Sequence, residues 1–290
     1  MNIKSILRNI RFLALLIGNM MMAGCSNSDK PAYLEPHLIT TEATHITRTE
    51  ATLNGSATIE GETEMPKLLF RYGTSESMDL NTSEVHAQGA DVSLVLTGLK
   101  AGTTYYYMLQ GNNGRITTTS NMMSFTTLPN MSPKLTSATL LSHGPMSAFV
   151  SYEITDDGGE PMTETGCYVY QTGEPENKQK YIIENFDGKE GKIKLRIGNL
   201  ERNAHYEFQS FARNTVGETI GTAIKYNTSD AITLNETGEL TQLMGNHLYD
   251  YTQLTIAGTL SGEDLSCLRL MIGRDNNNAS TPGTLSDIVL

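Results

Sequence analysis

Two stretches of this chain repeat each other at an offset of 101 residues. Leu94-Val95-Leu96-Thr97-Gly98-Leu99, running on through Tyr105 and Asn113, corresponds to Leu195-Arg196-Ile197-Gly198-Asn199-Leu200, running on through Tyr206 and Asn214. A period of that length is a domain rather than a solenoid unit. Within each copy, short runs rich in Thr, Val, Ile, Tyr and Phe alternate with polar residues. They are separated by turn chemistry such as Asn54-Gly55, Gly73-Thr74, Asp157-Gly158-Gly159 and Asp187-Gly188. No long stretch of either copy keeps a helical period, so the fold class is mainly β, two tandem β-sandwiches over residues 37–129 and 132–229. Leu99 precedes Tyr105 by six residues, and Leu200 precedes Tyr206 by the same spacing. That places Tyr105 and Tyr206 at strand starts after a turn, the tyrosine-corner arrangement in which the hydroxyl ties back to upstream backbone.

The two copies resemble fibronectin type III domains, which are immunoglobulin-like sandwiches. Phe70-Arg71-Tyr72-Gly73-Thr74 and Tyr168-Val169-Tyr170-Gln171-Thr172 are similar to the third strand of such modules, and Ser124-Phe125-Thr126-Thr127 and Lys225-Tyr226-Asn227-Thr228 to the last. The family usually buries a tryptophan in the second strand, and this chain has none. Leu53, and Phe149 or Val150, are expected to fill that space with a smaller apolar area.

The amino terminus is an address. Lys4, Arg8 and Arg11 form a basic leader without an acid, followed by the apolar run Phe12 to Ile17, extended by Met20 to Met22. Gly18 and Asn19 interrupt this run, and it falls short of the roughly 20 apolar residues that span a bilayer. Met22-Ala23-Gly24-Cys25 resembles the lipobox of bacterial lipoproteins, with Met22 where Leu is usual. The resemblance implies a signal peptide over residues 1–24, lipidation of Cys25, and a chain held in the cell envelope by its N-terminal acyl groups, in the outer membrane and at the cell surface. Residues 25–36 are polar, with two prolines and no apolar period, and read as a flexible tether. Loss of Lys4, Arg8 and Arg11 takes the formal charge from −11 to −14, which excludes nucleic acid as a partner class. Besides Cys25 there are only Cys167 and Cys267, in different segments, each read as a small buried hydrophobe rather than a disulfide half or nucleophile.

From residue 231 to 290 the period changes. Thr237 is placed to cap a short helix in which Leu240, Leu243 and Met244 share a face, with Gly245 at its stop. Leu254 and Ile256 alternate as a strand. Ser261 and Asp264 form a capping box for a second helix in which Leu265, Leu268 and Ile272 recur to Gly273. This α+β pattern, from Leu254-Thr255-Ile256-Ala257-Gly258 through Leu268-Arg269, resembles the amino-terminal cap of BspA-like leucine-rich-repeat proteins. Leu285-Ser286-Asp287-Ile288-Val289-Leu290 fits the first repeat strand. A solenoid repeat needs about three copies to bury its face, so this segment is expected to be an incomplete cap, from a truncated member or a fragment of a longer product.

Motifs for chemistry are sparse. The histidines at 37, 45, 86, 143, 205 and 247 are scattered singly, without metal-ligand spacing, and read as surface or turn residues. Phosphate loops, nucleophile elbows and dinucleotide fingerprints do not occur. Asp156, Asp157 and Glu160 are the one oxygen-rich candidate for calcium, against which stands a plain hairpin turn, and no metal or cofactor is assigned. Tyr105-Tyr106-Tyr107 is the aromatic cluster that could stack on sugars. Alternation sends Tyr105, Tyr107, Tyr206 and Phe208 to the core and leaves Tyr106 as the single exposed ligand contact. Together these readings describe a non-enzymatic, membrane-anchored lipoprotein that presents a binding or adhesion region for protein or glycan on β-sandwich stalk modules. The alternative is a glycan-capture accessory protein of a polysaccharide-utilisation system.

Overall fold

A computed structural model describes residues 35–60, 66–77, 81–88, 90–112 and 116–290. The signal peptide, Cys25 and most of the tether lie outside the described residues. The described residues form two compact units, one containing those up to Thr44 with those of Thr52–Leu96 and Tyr105–Phe125, the other His45–Ala51, Thr97–Thr104 and Thr126–Leu290.

The first unit is built from β1 (His37–Thr44), β2 (Ala51–Thr58), β3 (Lys67–Gly73), β4 (Asn81–Val85), β5 (Asp91–Leu96), β6 (Thr104–Asn112), β7 (Thr117–Thr119) and β8 (Met123–Thr126). One sheet runs β1-β2-β5 and the other β4-β3-β6-β7, with β8 also on β6. Three strands against a larger sheet in this order is the connectivity of a fibronectin type III sandwich. Alternation fills the interior: Leu53, Phe70, Tyr107 and Leu109 are fully buried, and Tyr105 stacks on Phe125 with ring centroids 5.5 Å apart. Leu53, expected to fill the space of the family's missing tryptophan, is among these buried residues. Asn54-Gly55 is not a turn but lies inside β2, because β1 passes so close that a Cβ on Gly55 would stand 2.6 Å from the Ile39 carbonyl oxygen.

The second unit repeats the plan. Its strands are β9 (Lys134–Leu135), β10 (Thr139–His143), β11 (Ala148–Asp156), β12 (Met162–Gln171), β13 (Gln179–Ile182), β14 (Gly191–Ile197), β15 (His205–Asn214), β16 (Glu218–Ile220) and β17 (Ile224–Asn227). One sheet runs β13-β12-β15-β16, with β17 also on β15. The other begins β14-β11-β10, with β9 on β11, but does not stop there. It continues through β18 (Ala231–Thr233), β19 (Gln253–Ala257) and β20 (Asp287–Val289). β10 meets β18 antiparallel at His143 and Thr233, and from β18 onward the pairing is parallel. Parallel neighbours need crossover connections, and these are supplied by α1 (Leu240–Met244) after β18 and α2 (Gly262–Met271) after β19.

Both helices lie over the outer face of this shared sheet. Phe149 on β11 joins Ile232, Leu254, Ile256, Leu240, Leu243, Met244, Cys267, Leu268 and Met271 in one core, whereas its neighbours Ala148 and Val150 face the sandwich interior with Cys167, Val169 and Phe208. Of the two residues expected to replace the tryptophan, only Val150 therefore faces the sandwich interior. Successive side chains on a strand leave opposite faces, and Phe149 is on the wrong one.

Candidate functional site

Polar contacts at both ends of α1 hold the carboxy-terminal layer to the sandwich. Glu239, 4% exposed, sits at the amino end of α1, takes a short hydrogen bond from the Ser142 hydroxyl, and pairs with Lys194 at 2.5 Å. Lys194 also reaches Glu236 at 2.7 Å and lies over the Phe149 ring at 4.9 Å. Burial pushes the Glu239 pKa up, but Lys194 and Ser142 outweigh it and leave the carboxyl below its ordinary range. At the other end of α1, Ser147 Oγ donates to the Leu243 carbonyl at 2.5 Å and Arg196 Nε to the Gln242 carbonyl at 2.6 Å. These bonds satisfy last-turn carbonyls that have no partner within the helix. Ser142 is wholly buried, so its contact with a carboxylate serves packing and offers no nucleophile to a substrate.

Thr237 does not cap α1. It is exposed, and the cap comes from the other helix: Asp264, 1% exposed, accepts from the backbone N–H of Gly238 at 2.7 Å and of Leu240 at 3.0 Å. The same carboxylate closes its own capping box with Ser261, whose N–H and hydroxyl both stand 2.8 Å away. A chain-local rule could not locate this cap, because the acceptor lies 24 residues downstream. The buried face of α2 is also rotated from the expected one. Cys267, Leu268 and Met271 face the core, while Leu265 and Ile272 are 53% and 50% exposed, since Asp264 must point inward to reach α1.

The remaining sequence-predicted residues are placed as follows. Tyr206 is buried and its hydroxyl accepts from the Glu201 N–H at 2.9 Å, five residues upstream. Tyr105 and Tyr107 are buried, and the Tyr107 hydroxyl donates to the Thr41 carbonyl at 2.6 Å. Tyr106 is half-buried rather than exposed on β6, which leaves less of its ring for a ligand. His143 is half-buried, not a surface residue. Its ring packs on Tyr226 at 5.4 Å and burial lowers its pKa. Cys167 and Cys267 are buried thiols, and burial raises that of Cys167 to about 12, which suppresses the reactive thiolate.

The acidic turn is not assembled as expected. Asp156 and Asp157 gather with Glu190, not Glu160. Glu160 is held by Asn130 Nδ2 at 2.6 Å and by Thr215 Oγ1 at 3.1 Å. Asp156 takes both amino groups of Arg48, at 2.9 and 3.0 Å, and is lowered to about 2 by that bond and by the Gly158 N–H. A carboxylate already engaged by a guanidinium is a poor calcium ligand, and the turn is explained by its own hydrogen bonds.

One open region lies along the parallel strands β18, β19 and β20. A groove of about 420 Å³ is lined by Asp230, Ala231, Gln253, Thr255, Asp287 and Val289 among others. Its rim carries the Arg202–Asp230 pair at 2.5 Å, with Arg202 stacked on Tyr251 at 5.0 Å. The lining mixes the polar Asp230, Gln253, Thr255 and Asp287 with the apolar Ala231, Leu254, Ile288 and Val289. Among the described residues no helix is long and apolar enough to cross a membrane.

No protein-family model and no curated protein matches the chain. Among solved structures, a two-domain fibronectin type III segment of chicken tenascin is 18% identical over 66% of this chain and 97% of its own, at a TM-score of 0.31. The sensor domain of the anti-sigma factor RsgI4 of Pseudobacteroides cellulosolvens is 22% identical over 34% of this chain and 98% of its own, at 0.27. At these scores the likenesses add no argument, and the sandwich assignment rests on strand order.

Proposed function

We propose that this chain is a non-enzymatic, lipid-anchored envelope protein in which fibronectin type III-like sandwiches serve as spacer modules and the carboxy-terminal α/β layer carries the binding face. The observation that carries this reading is the continuation of the sandwich sheet into β18-β19-β20, along which runs an open groove of mixed polar and apolar lining. The leucine-rich-repeat resemblance of residues 231–290 and the lipobox resemblance at Cys25 support the same assignment. Adhesion or capture then needs no reacting group, only a rigid face displayed away from a bilayer.

The intact mass of the membrane-extracted protein tests the anchor. A mass carrying acyl chains, lost in Cys25→Ser, is the expected result, and an unlipidated mass in the parent removes the membrane address. Glycan capture makes a separate demand: affinity for a soluble polysaccharide that Tyr106→Ala abolishes. The half-buried placement of Tyr106 favours the adhesion reading over that alternative.

A further inference from the structure

Arg196 occupies an arrangement that the docking of α1 does not exhaust. It stands on β14 opposite Phe149, and its Nε–H is spent on the Gln242 carbonyl at 2.6 Å. A guanidinium has five N–H donors, so four remain on the two amino groups. Two glycines hold those groups in place. A Cβ on Gly198 would stand 2.6 Å from Nη1, and a Cβ on Gly245 would stand 2.7 Å from Nη2. The exposed guanidinium thus lies over two positions without side chains, and a larger residue at either would have to displace it.

Beside it is a pocket of about 80 Å³, lined by Arg196, Asn199, Asn246 and His247 and walled by Met146 and Leu243. A single water needs only about 10–15 Å³ of such space, so the pocket has room for a small polar group. Among the described residues no carboxylate pairs with Arg196. Arg48, Arg202 and Arg213 pair with Asp156, Asp230 and Glu218, and each has its pKa raised by that bond. The Arg196 pKa is instead lowered by burial, with only the Tyr181 hydroxyl acting the other way. His247 pairs with Asp250 at 2.8 Å through Nδ1.

We propose that this pocket binds one oxyanion, a carboxylate or a sulfate or phosphate group, through the paired amino groups of Arg196, with the Asn199 and Asn246 side chains as further donors. A guanidinium presents parallel N–H groups that match two oxygens of such an anion. The site is independent of the lipid anchor and of the open groove, so its failure would leave the proposed function standing.

The test is a titration of the ¹⁵N-labelled full-length chain with sodium acetate, sulfate and phosphate in turn, at constant ionic strength against chloride, reading the Arg196 Nε–H and the amides of Asn199, Gly245 and Asn246. Saturable shifts at these four positions are expected, and the anion that saturates earliest names the group. Arg196→Gln should abolish them. Because that variant also loses the Gln242 bond, Asn199→Asp provides the second arm. It keeps Arg196 and its bond, and Asp tolerates the left-handed backbone at this position, φ +57°. The carboxylate it adds beside the guanidinium should weaken each anion by about tenfold or more, with an otherwise unchanged spectrum. Shifts that grow linearly and spread over other basic residues, or an Asn199→Asp protein that titrates like the parent, would overturn the site and leave Arg196 a helix-capping residue only.

Discussion

Single residues in this protein are constrained mostly by backbone proximity. Gly166 lies in the middle of β12, between β13 and β15, where a Cβ would stand 1.9 Å from the Tyr181 carbonyl oxygen. Gly166→Ala must therefore push two paired strands apart, and we predict a loss of about 1–3 kcal/mol in urea denaturation. Gly262, the first residue of α2, meets nothing within 4 Å. Gly262→Ala should be neutral or gain about 0.4–1 kcal/mol by restricting the unfolded chain. An equal loss at both positions would remove the steric argument. Neither outcome is legible in the sequence, where both are simply glycines in polar company. The burial of Tyr105, Tyr107, Tyr206 and Phe208 was legible, because strict alternation leaves a strand residue only two directions.

At the scale of elements, α1 and α2 depend on one carboxylate. Burial raises the Asp264 pKa, but the N–H groups of Gly238, Ser261 and Leu240 more than offset this and set it below the ordinary value. A depressed folded pKa means that the unfolded chain binds the proton first as pH falls. The stabilisation is thus complete above about pH 4, the unfolded value, and is lost as pH drops further through the folded pKa. We predict that Asp264→Asn costs about 2–3 kcal/mol at neutral pH, typical of lost bonds to a charged acceptor, and that its stability changes less between pH 5 and pH 3 than that of the parent. Thermal melts at the two pH values read both effects, and parallel pH profiles would show that Asp264 does not carry the dependence. Helix periodicity alone placed α1 and α2 within a few residues. It missed the direction of α2, since a buried aspartate took the position that an apolar-face rule assigns to leucine.

For the whole molecule, the shared sheet makes the second sandwich and the carboxy-terminal layer one cooperative body. Phe149 sits in the core of that layer while belonging to a sandwich strand, and Lys194, Arg196, Ser142 and Ser147 bind it from the same side. Phe149→Ala should cost about 3–5 kcal/mol. Native-state hydrogen exchange should then show the amides of β11, β18 and β19 losing protection together. Loss confined to β18 and β19, with β11 unchanged, would mean that the layer opens as a separate unit.

By itself the sequence determined the class of fold, the internal repeat, the tyrosine positions, and an acidic chain with sparse chemistry. Those properties follow from period, spacing and charge, which are local or additive along the chain. Tertiary structure alone decided that the terminal layer extends a sandwich sheet, that Asp264 caps a helix it does not belong to, and that Arg196 is spent on the Gln242 carbonyl. Each of these depends on which distant backbone lies within hydrogen-bond reach, and a sequence pattern does not encode distance across a fold.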